Sequence, residues 1–269
     1  KVCNNNWTQL SRWADQAMTS VFDQIIAGVK AQVAEREAIV SFAEIKQLSR
    51  QCVPPKDALG VLQQPGCQLI AEVKCITPEL GSFTCREQPH ILAQQFEQGG
   101  AAVIAYQPEQ RRFHGSLTEM LAIRDAVAAP IMCRDFIVDP YQIHEARYYG
   151  ADIVPLRVAA LDQARLVALL DRAQSLNMVA LVEVRNPEEA SRAMSAGARV
   201  IGVNARDFET MTLNRKAFAE ISPGLPEEII KIALSGVRSA AELYDYASHG
   251  ADAVVMGRSL IQAESLVDF

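Results

Sequence analysis

Glu72 and Lys74 are the residues whose types and spacing first suggest chemistry. They close the run Gln68-Leu-Ile-Ala-Glu-Val-Lys74, which then breaks into the loop Cys75-Ile-Thr-Pro-Glu-Leu-Gly81. Side chains alternate across a strand, so the carboxylate and the ammonium project the same way. Leu69, Ile70 and Val73 make the strand itself apolar, and charge in such a place is rare unless it is paired. A carboxylate beside an ammonium on one face can orient a substrate or move protons. The plainer alternative is an ion pair that closes the strand and does nothing else.

The elements that would carry these groups follow from periodicity. Residues 7 to 52 read as helical, with Val21, Ile25, Ile26, Val29 and Val33 at helical spacing. Ser41-Phe-Ala-Glu44 fits a capping box that opens a second helix, and Pro54-Pro55 ends the region. Met18-Thr-Ser is an alternative start, which would make residues 1–17 an appended segment. Beyond it, short apolar runs begin near Leu69, Ala101, Pro130, Ala151, Val179, Arg199, Ile229 and Ala253, about 26 residues apart. Helix-sized segments separate them. Continuous apolar runs suit parallel strands covered on both faces. Eight such units predict an α/β fold, a (β/α)8 TIM barrel, over residues 53–269. Residues 1–52 form an N-terminal helical extension capping it, the whole being a single domain.

In a barrel of this kind the site lies where the strands end. Those ends supply Glu72 and Lys74, Arg134 in Met132-Cys-Arg-Asp-Phe136, Glu183 in Leu181-Val-Glu-Val184 and Asn204 in Gly202-Val-Asn-Ala-Arg206. The last two supply Ser235-Gly236 and Gly257-Arg258-Ser259. Polar groups from six strands are hard to explain as structure alone. The glycines are either turn residues or places where backbone N–H groups cradle a phosphate, and their position favours the phosphate.

Composition narrows the partners. The 49% hydrophobic content supports a large core, and 26 basic against 32 acidic residues give −6. That balance argues against nucleic acid or an anionic membrane. No apolar run approaches a membrane span, and the polar start lacks the apolar core of a signal peptide, so a cytoplasmic location is expected. The six cysteines, Cys3, Cys52, Cys67, Cys75, Cys85 and Cys133, form no Cys-x-x-Cys pair and have no His at ligand spacing. Free thiols and no metal are expected. Cys75 follows Lys74 and could lie near a site, although a small buried apolar role suits it better.

From Met18 to about Leu266 the chain resembles the indole-3-glycerol-phosphate synthase family. The resemblance rests on Ile70-Ala-Glu-Val-Lys74, Phe113-His-Gly-Ser-Leu117, Asp135-Phe-Ile-Val-Asp-Pro-Tyr-Gln-Ile143, Glu145-Ala-Arg147, Gly150-Ala-Asp152, Leu181-Val-Glu-Val184, Ile201-Gly-Val-Asn204, Arg206-Asp207 and Ser235-Gly-Val-Arg238. It implies conversion of 1-(2-carboxyphenylamino)-1-deoxyribulose 5-phosphate to indole-3-glycerol phosphate, with loss of CO2 and water and no cofactor. It further implies that a lysine ending the third strand is the general acid and that Glu183 assists later proton transfers. Lys74 would hold the carboxylate or the phosphate and could act as an acid, while Glu72 orients the network. Asn204 and Ser235 would add hydrogen bonds, backbone near Gly236 and Gly257 would take the phosphate, and Phe113 and Phe136 would line the aromatic pocket. Thr77 and Arg206 join the substrate-binding set. The expected partner is a small phosphorylated substrate, with the chain a monomer or weak homo-oligomer.

Several positions depart from the family pattern. Its strand-three Lys-Asp-Phe is Arg134-Asp135-Phe136 here, and arginine is a poor proton donor. Losing a general acid typically costs on the order of 10²–10⁴ in rate. The acid before Ser-Gly is Leu234, the small residue after the strand-eight glycine is Arg258, and Ser-Pro after strand one is Thr77-Pro78. On strand four an apolar pair is Pro155 and Arg157. Pro155 predicts a bulge, and Arg157, two positions on, shares its face, which the resemblance places inside the barrel. The pocket would then be about three charges more positive than usual. One reading is a site retuned for a more anionic phosphorylated ligand, turned over or only bound. The other lets Arg157 and Arg258 pair with nearby acids or swing to solvent.

Overall fold

A computed structural model describes residues 20–74, 76–77, 81–82, 87–207, 210 and 212–262. Ser20 opens helix α1 (Val21–Ile39) with a reciprocal capping box to Asp23. Helix α2 (Phe42–Gln51) starts at Ser41, whose hydroxyl accepts from Glu44 N–H, the forward half of the expected capping box. The helical expectation for residues 7–19, and the appended segment at 1–17, lie outside the described residues.

The expected barrel is present. Strands β1 (Gln68–Val73), β2 (Val103–Tyr106), β3 (Ile131–Cys133), β4 (Ile153–Arg157), β5 (Val179–Val184), β6 (Val200–Asn204), β7 (Ile230–Leu234) and β8 (Ala253–Met256) pair in parallel and close into one barrel. The seam joins β8 to β1, with Ala71 beside Met256. Around it in chain order run α3 (Ala58–Leu62), α4 (Pro89–Gln98), α5 (Gln110–Phe113), α6 (Leu117–Ala126), α7 (Pro140–Tyr148), α8 (Gln163–Ser175), α9 (Pro187–Ser195), α10 (Ala217–Ile221), α11 (Ala240–Ser248) and α12 (Arg258–Gln262). Ile76–Thr77 and Gly81–Ser82 form a short antiparallel ribbon after β1.

Burial on both faces explains the unbroken apolar runs. Ile70, Met132, Ile153, Leu181 and Ile232 belong to an inner cluster, with Ala58 and Leu62 of α3 packed into it. The intervening residues, such as Ala71, Val154, Val182 and Ala233, belong to the outer cluster beneath the helices. Period-two alternation then carries the inner face forward to Glu72, Arg134, Arg157, Glu183, Asn204 and Gly257, all at the strands' C-terminal ends.

Pro155 does not produce the expected bulge. β4 keeps a continuous register with β5 from Ile153 beside Val179 to Arg157 beside Glu183. Val179 N–H donates to Asp152 O, so the even-numbered groups of β4 face β5. The donor that Pro155 lacks therefore faces β3, where the strands share only the Met132–Ile153 pair. The loss falls where the ladder is already short.

At the opposite end, buried Asp152 gathers the N–H groups of Lys56 and Ile131 and the Arg124 guanidinium. The extension docks on α7. Arg36 pairs with Glu145 at 2.7 Å, Tyr141 Oη donates to Val40 O at 3.1 Å, and Ser49 Oγ lies 2.7 Å from His144 Nδ1. Among the described residues Cys52, Cys67 and Cys133 are free thiols. Cys3, Cys75 and Cys85 lie outside them.

Candidate active site

Arg134 is the hub of the strand-end residues. Its Nη1 donates to Glu183 Oε1, and its Nε reaches Glu72 Oε1 at 3.5 Å. Arg157 grips the other oxygen of Glu183, with Nε 3.1 Å from Oε2. Asn204 Nδ2 donates to that same oxygen at 3.4 Å. Glu183 therefore has a guanidinium on each oxygen, and β1, β3, β4, β5 and β6 each contribute one member of the network. All of these side chains are largely buried (relative exposure 2–15% for the ion-paired ones), so the attractions act with little screening by water.

Burial pulls each group away from its charged form, and the partners decide the outcome. Burial would raise Glu72, but Lys74 and Arg134 outweigh it and hold the carboxyl below its ordinary value. Glu183 is lowered in the same way, against its burial, by Arg134 and Arg157. Burial lowers Arg157, with Glu183 and Asp135 opposing that and Arg134 adding to it. Both glutamates are thus ionised at neutral pH.

Lys74 takes a different position from the one its spacing suggests. The ion pair of Glu72 is with Arg134, while Lys74 Nζ lies over the Phe113 ring, 4.7 Å from its centroid. Phe113 ends α5, and the loop leading to it is fixed by Glu109, which accepts from the N–H groups of Arg111, Arg112 and Phe113. The Arg157 guanidinium lies over the buried Phe136 ring at 4.2 Å, and its Nη1 donates to Asp135 O at 2.8 Å. Arg157 is inside the barrel, as the family resemblance implies.

The phosphate candidates cluster where β7 and β8 end. Ser235 and Gly236 both adopt left-handed backbone (φ 68° and 86°), which turns the chain sharply after β7. Ser259 Oγ donates to Val237 O at 3.1 Å and so ties this turn to the start of α12. A Cβ on Gly257 would lie 3.1 Å from Glu72 Oε2 and 3.2 Å from Glu72 O, so any larger residue there would press on Glu72. Arg206 is half-buried, and its N–H donates to Asn204 Oδ1 at 3.0 Å, which orients that amide. Arg258 is exposed at the start of α12, and Leu234 is buried in the inner cluster against Gly202. The side chain of Thr77 lies outside the described residues.

With this geometry in place, comparison with known proteins decides the family. A family model described as indole-3-glycerol phosphate synthase matches residues 22–269. The chain belongs to the indole-3-glycerol phosphate synthase family. It is 51% identical over 244 residues to the indole-3-glycerol phosphate synthase of Mycobacterium avium (strain 104), covering 91% of this chain and 90% of that one. The same identity holds over 242 residues for that of Mycobacterium tuberculosis (strain CDC 1551 / Oshkosh), covering 90% and 89%. Its activity is accordingly that of a decarboxylating carbon–carbon lyase of tryptophan biosynthesis. Solved structures of lower identity support the fold alone. An N-acetylmannosamine-6-phosphate 2-epimerase from Clostridium perfringens superposes with a TM-score of 0.59 at 15% identity, covering 74% of this chain and 89% of that one.

Set against the family pattern, the extra cations are differently placed. Arg157 is paired inside the barrel and Arg258 is exposed, so the surplus positive charge inferred from the sequence is largely neutralised. Phe22 of α1 was not singled out by sequence. It lines a small cavity with Arg157, Glu183, Arg185, Glu189 and Asn204, and its only sequence signal is its place on the apolar face of α1. Gln107 was also missed. It is buried just beyond the end of β2, and its Nε2 has no hydrogen-bond partner among the described residues.

Proposed function

We propose that this chain closes the indole ring of 1-(2-carboxyphenylamino)-1-deoxyribulose 5-phosphate with Arg134 standing where the family has its lysine. The observation that carries this reading is the bridge from Arg134 to both Glu72 and Glu183 at the barrel mouth. In the first step the aryl ring carbon attacks the ribulose carbonyl. Its oxygen gains negative charge, which Arg134 meets by hydrogen bonding without giving up a proton. The proton comes instead from Lys74 or from a water beside it. Loss of CO2 and then of the hydroxyl as water restores aromaticity, and Glu183 moves the proton in that dehydration. Glu72 holds Arg134 in place. Asn204 and Ser235 supply hydrogen bonds, and Thr77, Arg206, Gly236, Gly257 and Arg258 surround the phosphate. Phe113 and Phe136 take the aromatic ring.

The reading needs no cofactor and no metal. The same reading is of a cytoplasmic small-molecule enzyme acting as a monomer or weak homo-oligomer, and a net charge of −6 disfavours polyanionic partners.

Indole fluorescence after mixing protein and substrate tests this. Turnover is expected in the unmodified chain, with kcat lowered on the order of 10²–10⁴ by Glu183→Gln and raised by Arg134→Lys. Turnover unaffected by Glu183→Gln would remove that residue from the reaction. Silence in both the unmodified chain and Arg134→Lys would sink the lyase assignment for this chain.

A further inference from the structure

Arg157 stands in two places that the proposed reaction needs free. Its guanidinium lies over Phe136, with Cζ 4.2 Å from the ring centroid, and Phe136 is the ring assigned to the substrate's aryl group. Its Nε lies 3.1 Å from Glu183 Oε2, the oxygen left over after Arg134 has taken Oε1. Nη1 anchors it to Asp135 O at 2.8 Å. The cavity that Arg157 shares with Phe22, Glu183 and Asn204 is small. An aromatic ring and an arginine head group cannot both cover one face of Phe136.

We propose that Arg157 occupies the aryl subsite of the ligand-free chain, so that the substrate binds by displacing its guanidinium from Phe136 and Glu183. The inference rests on the assignment of Phe136 and Glu183 to the substrate site. Its chemistry is that of an internal competitor. A cation on an aromatic face occupies the place of a stacked ring, and a buried guanidinium 3.1 Å from a carboxylate is held there by charge. A ligand entering this site has to break both contacts, and its apparent affinity falls by the fraction of molecules in which the arginine is seated. Displacement also removes one of the two cations on Glu183, so arrival of the substrate would make that carboxylate a stronger base when it is needed.

The opposite role is equally concrete. If Arg157 receives the substrate's carboxylate, removing it weakens binding. Arg157→Leu and Arg157→Gln separate the two, the first refilling the barrel with an apolar chain and the second keeping a polar one. Binding to the full chain, by calorimetry, of the substrate analogue whose ribulose carbonyl is reduced to an alcohol is the readout, because this ligand keeps the aryl carboxylate and cannot turn over. Thermal unfolding confirms that each variant is folded. Tighter binding by both variants is expected, on the order of tenfold. Weaker or unchanged binding by folded variants overturns the proposal and leaves the lyase reading intact. Absence of binding by the unmodified chain and both variants would count against the substrate site itself, and so against the proposal with it. Binding by the variants alone would support the proposal most directly.

Discussion

At the scale of single residues, the site is governed by which cation each carboxylate has. Glu183 carries two, and Glu72 depends on Arg134 and on the space that Gly257 leaves it. Replacing Gly257 by alanine puts a methyl group against Glu72 Oε2, Cβ and O, so the Glu72 side chain or the backbone beside it has to give way. The variant is expected to lose about 1–3 kcal/mol of stability, measured by denaturant unfolding, together with activity as Glu72 shifts away from Arg134. An unaffected kcat would mean that Glu72 does not need its present position. Much of this was legible beforehand: the inward direction of Glu72, Arg134, Arg157, Glu183 and Asn204 follows from alternation alone. The partners were not. Sequence spacing suggests a pair between Glu72 and Lys74, but the closed barrel brings Arg134 from β3 to Glu72 and leaves Lys74 over Phe113. Contacts between strands depend on register, and register is not written in any one segment.

At the scale of elements, the extension helices are held by a buried histidine. His144 of α7 is fully buried, with its ring edge-on to Phe42 of α2 and Nδ1 beside Ser49 Oγ. The Ser49 hydroxyl proton goes to Lys46 O, so His144 Nδ1–H is the donor of that pair and Nε2 is left bare. Burial, with Arg172, Arg50 and Lys46 nearby, lowers the ring from 6.5 to about 4. Below pH 6.5 the unfolded chain therefore takes up a proton that the folded chain refuses. Stability contributed by the neutral ring is complete above 6.5 and declines as pH falls towards 4. Protection factors of the α2 amides, which allow for the slower intrinsic exchange at low pH, are expected to fall over that window, and His144→Phe to abolish the fall. An equal fall in both proteins would assign the change to other groups. The capping serine at 41 was visible in the sequence, whereas the cap at Ser20 and the docking of α2 on α7 were not, the docking because it joins residues 95 apart. The bulge expected at Pro155 failed for a related reason. The side of β4 that lacks a donor is set by its neighbours, and β3 asks little of it.

At the scale of the whole molecule, the two ends of the barrel are specialised. The residues proposed for chemistry lie where the strands end, and Asp152 organises the other end with Lys56, Ile131 and Arg124. Asp152→Ala leaves a buried guanidinium and two N–H groups without their acceptor, so a loss of about 3–5 kcal/mol is expected in thermal or denaturant unfolding. Below the unfolding temperature, KM and kcat should stay within about twofold, as separate faces require. A large change in KM would show that the two ends are coupled. The barrel itself was the most legible feature, because eight apolar runs at regular spacing admit few other folds.

The seam between β8 and β1 also sets an order on synthesis. Glu72 is made early, but the strand that covers its flank ends at Met256, and Gly257 comes after that. Until a ribosome has delivered β8, every nascent chain presents β1 and β7 as open edges able to pair with other chains. The carboxylate that orients Arg134 then has one bare side. Finishing the proposed reaction centre and hiding the adhesive edges are then a single late event, so a chain released too early is expected to be both inactive and prone to aggregate.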